Sequence, residues 1–169
     1  MKTLTKYFIV SLIILISCKG NSEKSGLIDY KSEDGSISLK YPENWSIDVS
    51  KSSGANIYLF SGNTENINLI IQDIGNDYNL DSYTQLSENQ IRSIEGAKLY
   101  QSERIQINGN EVHFLEYQAD IRKRRELRFM QYCILKHQKA YVITYTCELD
   151  RFEKTKHLAL KIMQSFKIQ

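Results

Sequence analysis

The 169-residue sequence is poor in the side chains that usually announce chemistry, with three histidines, three cysteines, one tryptophan and one proline. His113, His137 and His157 are scattered, and none stands two to four residues from another metal-type ligand in a recognised pattern. No Cys-x-x-Cys, His-Glu-x-x-His, Gly-x-Ser-x-Gly or P-loop occurs. No catalytic residue, metal or cofactor is implied, and the expectation is a protein that is not an enzyme. There is no internal repeat, no coiled-coil heptad and no apolar run of roughly 20 residues, the length that spans a bilayer. Excess charge is also missing. Of 22 Lys+Arg against 20 Asp+Glu, Lys2 and Lys6 fall in the leader, and the remainder is balanced at 20 against 20. Global charge therefore gives no case for nucleic acid as a partner.

What is present first is that leader. Lys2 and Lys6 form a basic start, and Tyr7 to Ile16 is apolar apart from Ser11. Leu15-Ile16-Ser17-Cys18 then resembles the lipobox of a bacterial lipoprotein signal, with a small residue before the cut and a thiol to carry the lipid. On this reading residues 1–17 are removed and Cys18 becomes the lipidated first residue. Two or three acyl chains hold a protein on a membrane where one does so only marginally. Residues 18–26 (CKGNSEKSG) are the lipidated cysteine and a small, polar, flexible tether, of which Lys19 to Gly26 reach about 28 Å when fully stretched. Lys19-Gly20 lacks the aspartate that signals inner-membrane retention in enteric bacteria, which favours the outer membrane.

Residues 27–169 read as one domain. Leu27–Lys31 and Ser36–Lys40 are short strands around a Glu33-Asp34-Gly35 turn, and Pro42 ends the second. Strands follow at Ser46–Val49, Ala55–Ser61 and Asn66–Ile74. Ile67, Leu69 and Ile71 share one face of the last and Ile70 and Ile74 the other, a pattern that suits burial on both sides. A helix is expected next, with Ser82 and Gln85 as a capping box, Tyr83, Leu86, Ile91 and Ile94 as its apolar stripe, and Gly96 as its stop. Four longer strands, Lys98–Ile107, Glu111–Ile121, Glu126–Lys136 and Lys139–Glu148, turn at Asn108-Gly109 and near His137-Gln138. A second helix, capped by Asp150 with Glu153, presents Phe152, Ala159, Ile162, Met163 and Phe166. This order gives an α+β fold, an antiparallel sheet covered by amphipathic helices.

Several of these segments carry a resemblance. Ile37 to Trp45 (ISLKYPENW), the hairpin through Ile107-Asn108-Gly109 and Leu115-Glu116-Tyr117, the strand Lys139 to Tyr145 and the closing Ile162 to Phe166 are together similar to the PsbP-like family, related to the DcrB and Mog1 folds. The resemblance implies an α/β/α sandwich with helices on both faces of the sheet, and a non-enzymatic accessory role.

Four local features remain. Cys133 and Cys147 lie on neighbouring strands, with Cys133 opposite about Val142 or Ile143 and Cys147 opposite about Arg128 or Phe129. That is about 13 Å out of register, too far for a disulfide, which needs Cα atoms within about 7 Å. Arg122-Lys123-Arg124-Arg125, with Arg128 close by, sits where two strands turn, and is the candidate contact for a membrane surface or an envelope protein partner. His113 reads as a half-buried, hydrogen-bonded strand residue. Tyr141, Ile143 and Tyr145 share one face and read as core under a helix. The expected function is a lipid-anchored envelope protein acting as an accessory or binding module of a membrane-associated assembly. The alternative is a small-molecule or ion-binding lipoprotein with a pocket between sheet and helix.

Overall fold

The computed structural model describes residues 26–120 and 126–169. Cys18 and Arg122, Lys123, Arg124 and Arg125 lie outside the described residues, as do the leader and most of the tether.

Among the described residues, alternating apolar and polar residues build ten strands, and two amphipathic segments build two helices. The strands are β1 (Leu27–Lys31), β2 (Ile37–Pro42), β3 (Ser46–Asp48), β4 (Ile57–Phe60), β5 (Asn66–Asp73), β6 (Lys98–Ile107), β7 (Asn110–Asp120), β8 (Glu126–Lys136), β9 (Lys139–Glu148) and β10 (Lys167–Ile168). The helices are α1 (Leu80–Ser93) and α2 (Phe152–Gln164). A seven-stranded antiparallel sheet runs β3-β4-β5-β9-β8-β7-β6, and a small second sheet runs β1-β2-β10. The β6–β7 turn has Asn108 and Gly109 both at positive φ, 50° and 76°, the backbone that a tight hairpin requires.

The expected helix on each face is present. Val112 and Phe114 of β7, Met130 and Tyr132 of β8 and Ile143 and Tyr145 of β9 point to one side. There they meet Phe152, Ala159, Ile162 and Met163 of α2, with Ile37 and Leu39 of the small sheet beside them. Burying each of the larger side chains contributes about 1.5–3 kcal/mol, so α2 is held by packing more than by helix propensity. On the other side Leu115, Tyr117 and Phe129 meet Ile91 of α1, and Cys133 and Ala140 meet Leu80 and Tyr83. Tyr141, Ile143 and Tyr145 are core under α2, as their spacing suggested.

Three expectations are corrected. The capping box of α1 is Asn79 with Ser82, where Asn79 Oδ1 accepts from Ser82 N at 2.9 Å and Asn79 N donates to Ser82 Oγ at 3.1 Å. The helix thus begins earlier than Ser82–Gln85 implied, and its buried stripe is Leu80, Tyr83, Thr84 and Ile91. Leu86 falls about 120° round from that stripe at 3.6 residues per turn, and is 42% exposed. Asp150 does not cap α2. It lies in a single 3-10 turn, Leu149–Arg151, which runs straight into the helix and leaves no extended cap residue. Finally, β5 is not buried on both faces. α1 lies over β6, β7 and β8, so Ile70 on the α1 side of β5 stays partly exposed.

Candidate functional site

The register fixes which residues gather where the chain enters the domain. The Gly26 carbonyl accepts from Glu43 N at 3.2 Å, and Trp45 N donates to the Pro42 carbonyl at 2.9 Å, closing the turn between β2 and β3. Ser46 at the start of β3 pairs with Phe60, Phe60 with Asn66, and Asn66 with Thr146 near the end of β9. Leu127 pairs with Glu148, and Asp120 with Glu126. The antiparallel arrangement therefore puts Gly26 and the two residues that flank 121–125 at the same end of the sheet. Asp120, Glu126 and Glu148 place three carboxylates at this end, of which Asp120 and Glu148 are partnered.

Arg128, adjacent in sequence to the basic run, is not part of a surface cluster. Its guanidinium carbon lies 3.4 Å from the centroid of the Tyr100 ring and 5.0 Å from that of Phe152. Its Nε donates to Glu116 Oε1 at 3.1 Å, and the two side chains are only 12% and 15% exposed. Tyr100 closes the outer side of this stack and donates its hydroxyl to Gln118 Oε1 at 2.8 Å. The neighbouring Glu65 is 3% exposed and paired with Arg151, and accepts from Ser61 Oγ at 2.7 Å. Burial works to raise the Glu65 pKa, but the hydrogen bonds from Ser61 and Arg151 outweigh it and hold the carboxyl below its ordinary value.

One constellation brings together groups that sequence spacing does not connect. His113 Nε2 lies 2.8 Å from Ser102 Oγ, and Ser102 donates to Glu88 of α1. His113 Nδ1 is buried without a hydrogen-bond partner among the described residues. The serine hydroxyl has one proton and gives it to the carboxylate, so Nε2–H of the ring is the donor to Ser102. This order is the reverse of a hydrolytic triad, where the carboxylate orients the far nitrogen of the ring and the near one deprotonates the serine. Burial pushes the His113 pKa below its ordinary 6.5, with Glu88 opposing and Arg104 adding to the shift. Arg104 is itself occupied by Asp81 and, at 2.9 Å, by Glu111. His113 is thus a hydrogen-bonded strand residue, as expected. His137 is a turn residue at φ 53°, and His157 is exposed on α2.

Cys133 pairs across the ladder with Val142 and Cys147 with Arg128, the register expected from the turn. Both thiols are free and buried, and burial raises both pKa values. Among the described residues no three His, Cys, Asp or Glu side chains come together as a metal site, and no helix is long and apolar enough to cross a membrane. The space between the sheet and α2, lined by Leu59, Ile143, Ile162 and Phe166 among others, amounts to about 10 Å³. That holds no ligand larger than a water. An open cleft of about 220 Å³ lies at the opposite end of the sheet, between Ile74, Tyr78 and the His137-Gln138 turn.

A family model described as PsbP matches residues 25–168. The solution structure of cyanobacterial PsbP (CyanoP) from Synechocystis sp. PCC 6803 matches with a TM-score of 0.66 at 21% identity, over 92% of this chain and 99% of that one. LpqN, involved in cell envelope biogenesis of Mycobacterium tuberculosis, matches with a TM-score of 0.63 at 13% identity, over 85% and 91%. The Saccharomyces cerevisiae Ran-binding protein Mog1p matches at 0.60 and 9% identity, over 85% and 96%. At these identities the structural likeness is one of fold. A comparison with curated protein sequences finds no match.

Proposed function

The chain belongs to the PsbP family, and from that premise we propose that it is a lipid-anchored cell-envelope protein serving as a non-enzymatic accessory module of a membrane-associated assembly. Residues 1–17 are its signal, Cys18 carries the lipid, residues 18–26 are the tether and residues 27–169 the working domain. The outer membrane is the favoured location. The observation that carries this reading is the lipobox Leu15-Ile16-Ser17-Cys18 joined by a short tether to a PsbP domain. The involvement of LpqN in cell envelope biogenesis adds support for an envelope setting.

The contact surface in this reading is Arg122, Lys123, Arg124 and Arg125. Their flanks share an end of the domain with Gly26, so the tether delivers that end toward the membrane. Asp120, Glu126 and Glu148 at the same end weaken attraction to an anionic bilayer, which favours a specific protein partner over lipid headgroups. A ligand pocket between sheet and helix has little support, because α2 and the core side chains fill that space.

Mild crosslinking in native membranes, followed by pulldown, tests the proposal. The wild type is compared with a variant in which Arg122, Lys123, Arg124 and Arg125 are all glutamine, and with Cys18→Ser. A stoichiometric membrane partner lost in the glutamine variant is the expected result. Recovery of both forms alone overturns the assembly reading, and a wild-type protein that takes up no labelled fatty acid, or takes up as much after Cys18→Ser, overturns the anchor.

A further inference from the structure

Because α1 lies over β6–β8 and reaches β9 and β5 only at their far end, at Ala140 and Gln72, the same face of β4 and of the rest of β5 and β9 is uncovered among the described residues, and its composition is unusual for this chain. Tyr58 and Phe60 of β4 stand side by side with ring centroids 6.4 Å apart and planes 20° from parallel. Across the ladder Tyr58 pairs with Asn68 and Asn68 with Thr144, while Phe60 pairs with Asn66 and Asn66 with Thr146. Directly paired residues project to the same side, so two parallel rows result, each an aromatic ring followed by an amide and a hydroxyl. All six side chains are partly exposed. None carries a charge, in a protein where 25% of residues do. The nearest acid on this face, Asp48 opposite Tyr58, is engaged by Ser50 N at 2.8 Å and Ser52 Oγ at 3.0 Å. Asn66 Nδ2 donates to the Thr64 carbonyl, whereas Asn68, Thr144 and Thr146 have no side-chain hydrogen bond among the described residues.

We propose that this face binds a neutral glycan chain. The chemistry excludes the alternatives in turn. Nucleic acid, lipid headgroups and acidic peptides need cations, and the rows hold none. An apolar helix would strand the amide and hydroxyls of Asn68, Thr144 and Thr146 against hydrocarbon, at about 1–3 kcal/mol for each group left without a partner. An extended peptide recognised through its backbone docks on a sheet edge, not on a face. A sugar chain matches both halves of each row. Its ring C–H surface packs on Tyr58 and Phe60, and its hydroxyls donate to and accept from the side-chain amides and threonine hydroxyls. From β4 through β5 to β9 the platform is about 10 Å wide at 4.8 Å per strand, which is longer than one sugar ring and suits an oligosaccharide. The inference is independent of the proposed lipid anchor, since it uses only described residues of the sheet.

Isothermal titration calorimetry on the full chain in mild detergent tests it, with cellohexaose, xylohexaose, maltohexaose, mannohexaose and chitohexaose as probes. Binding of at least one hexasaccharide is expected, weakened tenfold or more by Tyr58→Ala and by Asn68→Asp, with wild-type circular dichroism in the latter. Asn68→Asp changes no volume and adds only charge, so it keeps the test valid if Tyr58→Ala misfolds. Absence of heat with all five probes overturns the proposal, as does binding that Asn68→Asp leaves unchanged. Self-association of the wild type that Asn68→Asp abolishes also overturns it, and assigns the face to a second copy of the chain.

Discussion

Cys133 and Cys147 lie on adjacent strands yet on opposite faces of the sheet, Cys133 against Leu80 and Tyr83 of α1 and Cys147 within the core beneath α2. The β8–β9 register separates them along the strands and the pleat separates them through the sheet. Neither is positioned to meet the other without unfolding. Both pKa values are raised by burial, so little thiolate forms in the folded state. Alkylation of the native protein at mildly alkaline pH is expected to leave both unmodified, and alkylation in denaturant to label both, as read by peptide mass. A Cys133–Cys147 disulfide recovered from the native protein contradicts this arrangement.

The stack of Tyr100, Arg128 and Phe152 with Glu116 binds β6, β7, β8 and the start of α2 to one another. Arg128→Ala leaves Glu116 nearly buried and unpaired, and is expected to cost about 3 kcal/mol in urea unfolding. Arg128→Lys keeps the charge but loses the planar ring contact and the fork, and is expected to cost about 1–2 kcal/mol. The double replacement Arg128→Met with Glu116→Leu should cost less than Arg128→Ala, because no charge is then stranded.

The cap of α1 gives a sharp contrast between neighbouring polar residues. Asn79→Ala removes the acceptor for Ser82 N and is expected to destabilise the domain by about 1 kcal/mol. Gln85→Ala, on the exposed surface of the helix, should change stability by no more than about 0.5 kcal/mol. Thermal unfolding of the two variants decides between the caps.

His113 makes stability depend on pH in a definite direction. Its folded pKa lies below the ordinary 6.5, so as the pH falls the unfolded chain takes up the proton first. The histidine's contribution is complete above about pH 6.5 and is lost progressively as the pH falls through the folded value. His113→Gln removes this titration. Between about pH 7 and pH 5 the wild type should lose more stability than the variant, measured by urea midpoints.

Much of the fold is legible in the pattern of residues. The two-residue turns at Asn108-Gly109 and His137-Gln138 set the register of β6 to β9 closely enough to put Cys147 opposite Arg128 from sequence alone. The apolar spacing of α2 is equally plain. What is hidden needs three dimensions. Asn79 and Ser82 both satisfy the local pattern of a cap, and burial of Leu80 decides between them. The relay from His113 through Ser102 to Glu88 is half legible, since the Asn108-Gly109 turn already sets Ser102 opposite Leu115 and on the face of His113. Its third member lies on α1, and strand spacing does not tell where that helix crosses β6. The bare face of β5 is hidden for a similar reason, since alternation tells which residues share a face and not whether a helix reaches it.

The small sheet has a consequence for when the protein can fold. Lys167 and Ile168 pair with Ser38 and Ile37, and Gln169 N donates to the Ser36 carbonyl at 2.9 Å. A strand near the start of the domain is thus completed by one made about 130 residues later, a contact of very high sequence separation. Ile162, Met163 and Phe166 belong to the same core, so a chain lacking them exposes the apolar sides of β2, β5, β8 and β9. The small sheet and the α2 side of the core therefore close only once residues 162–168 are in hand, and the last strand then fastens the first hairpin shut.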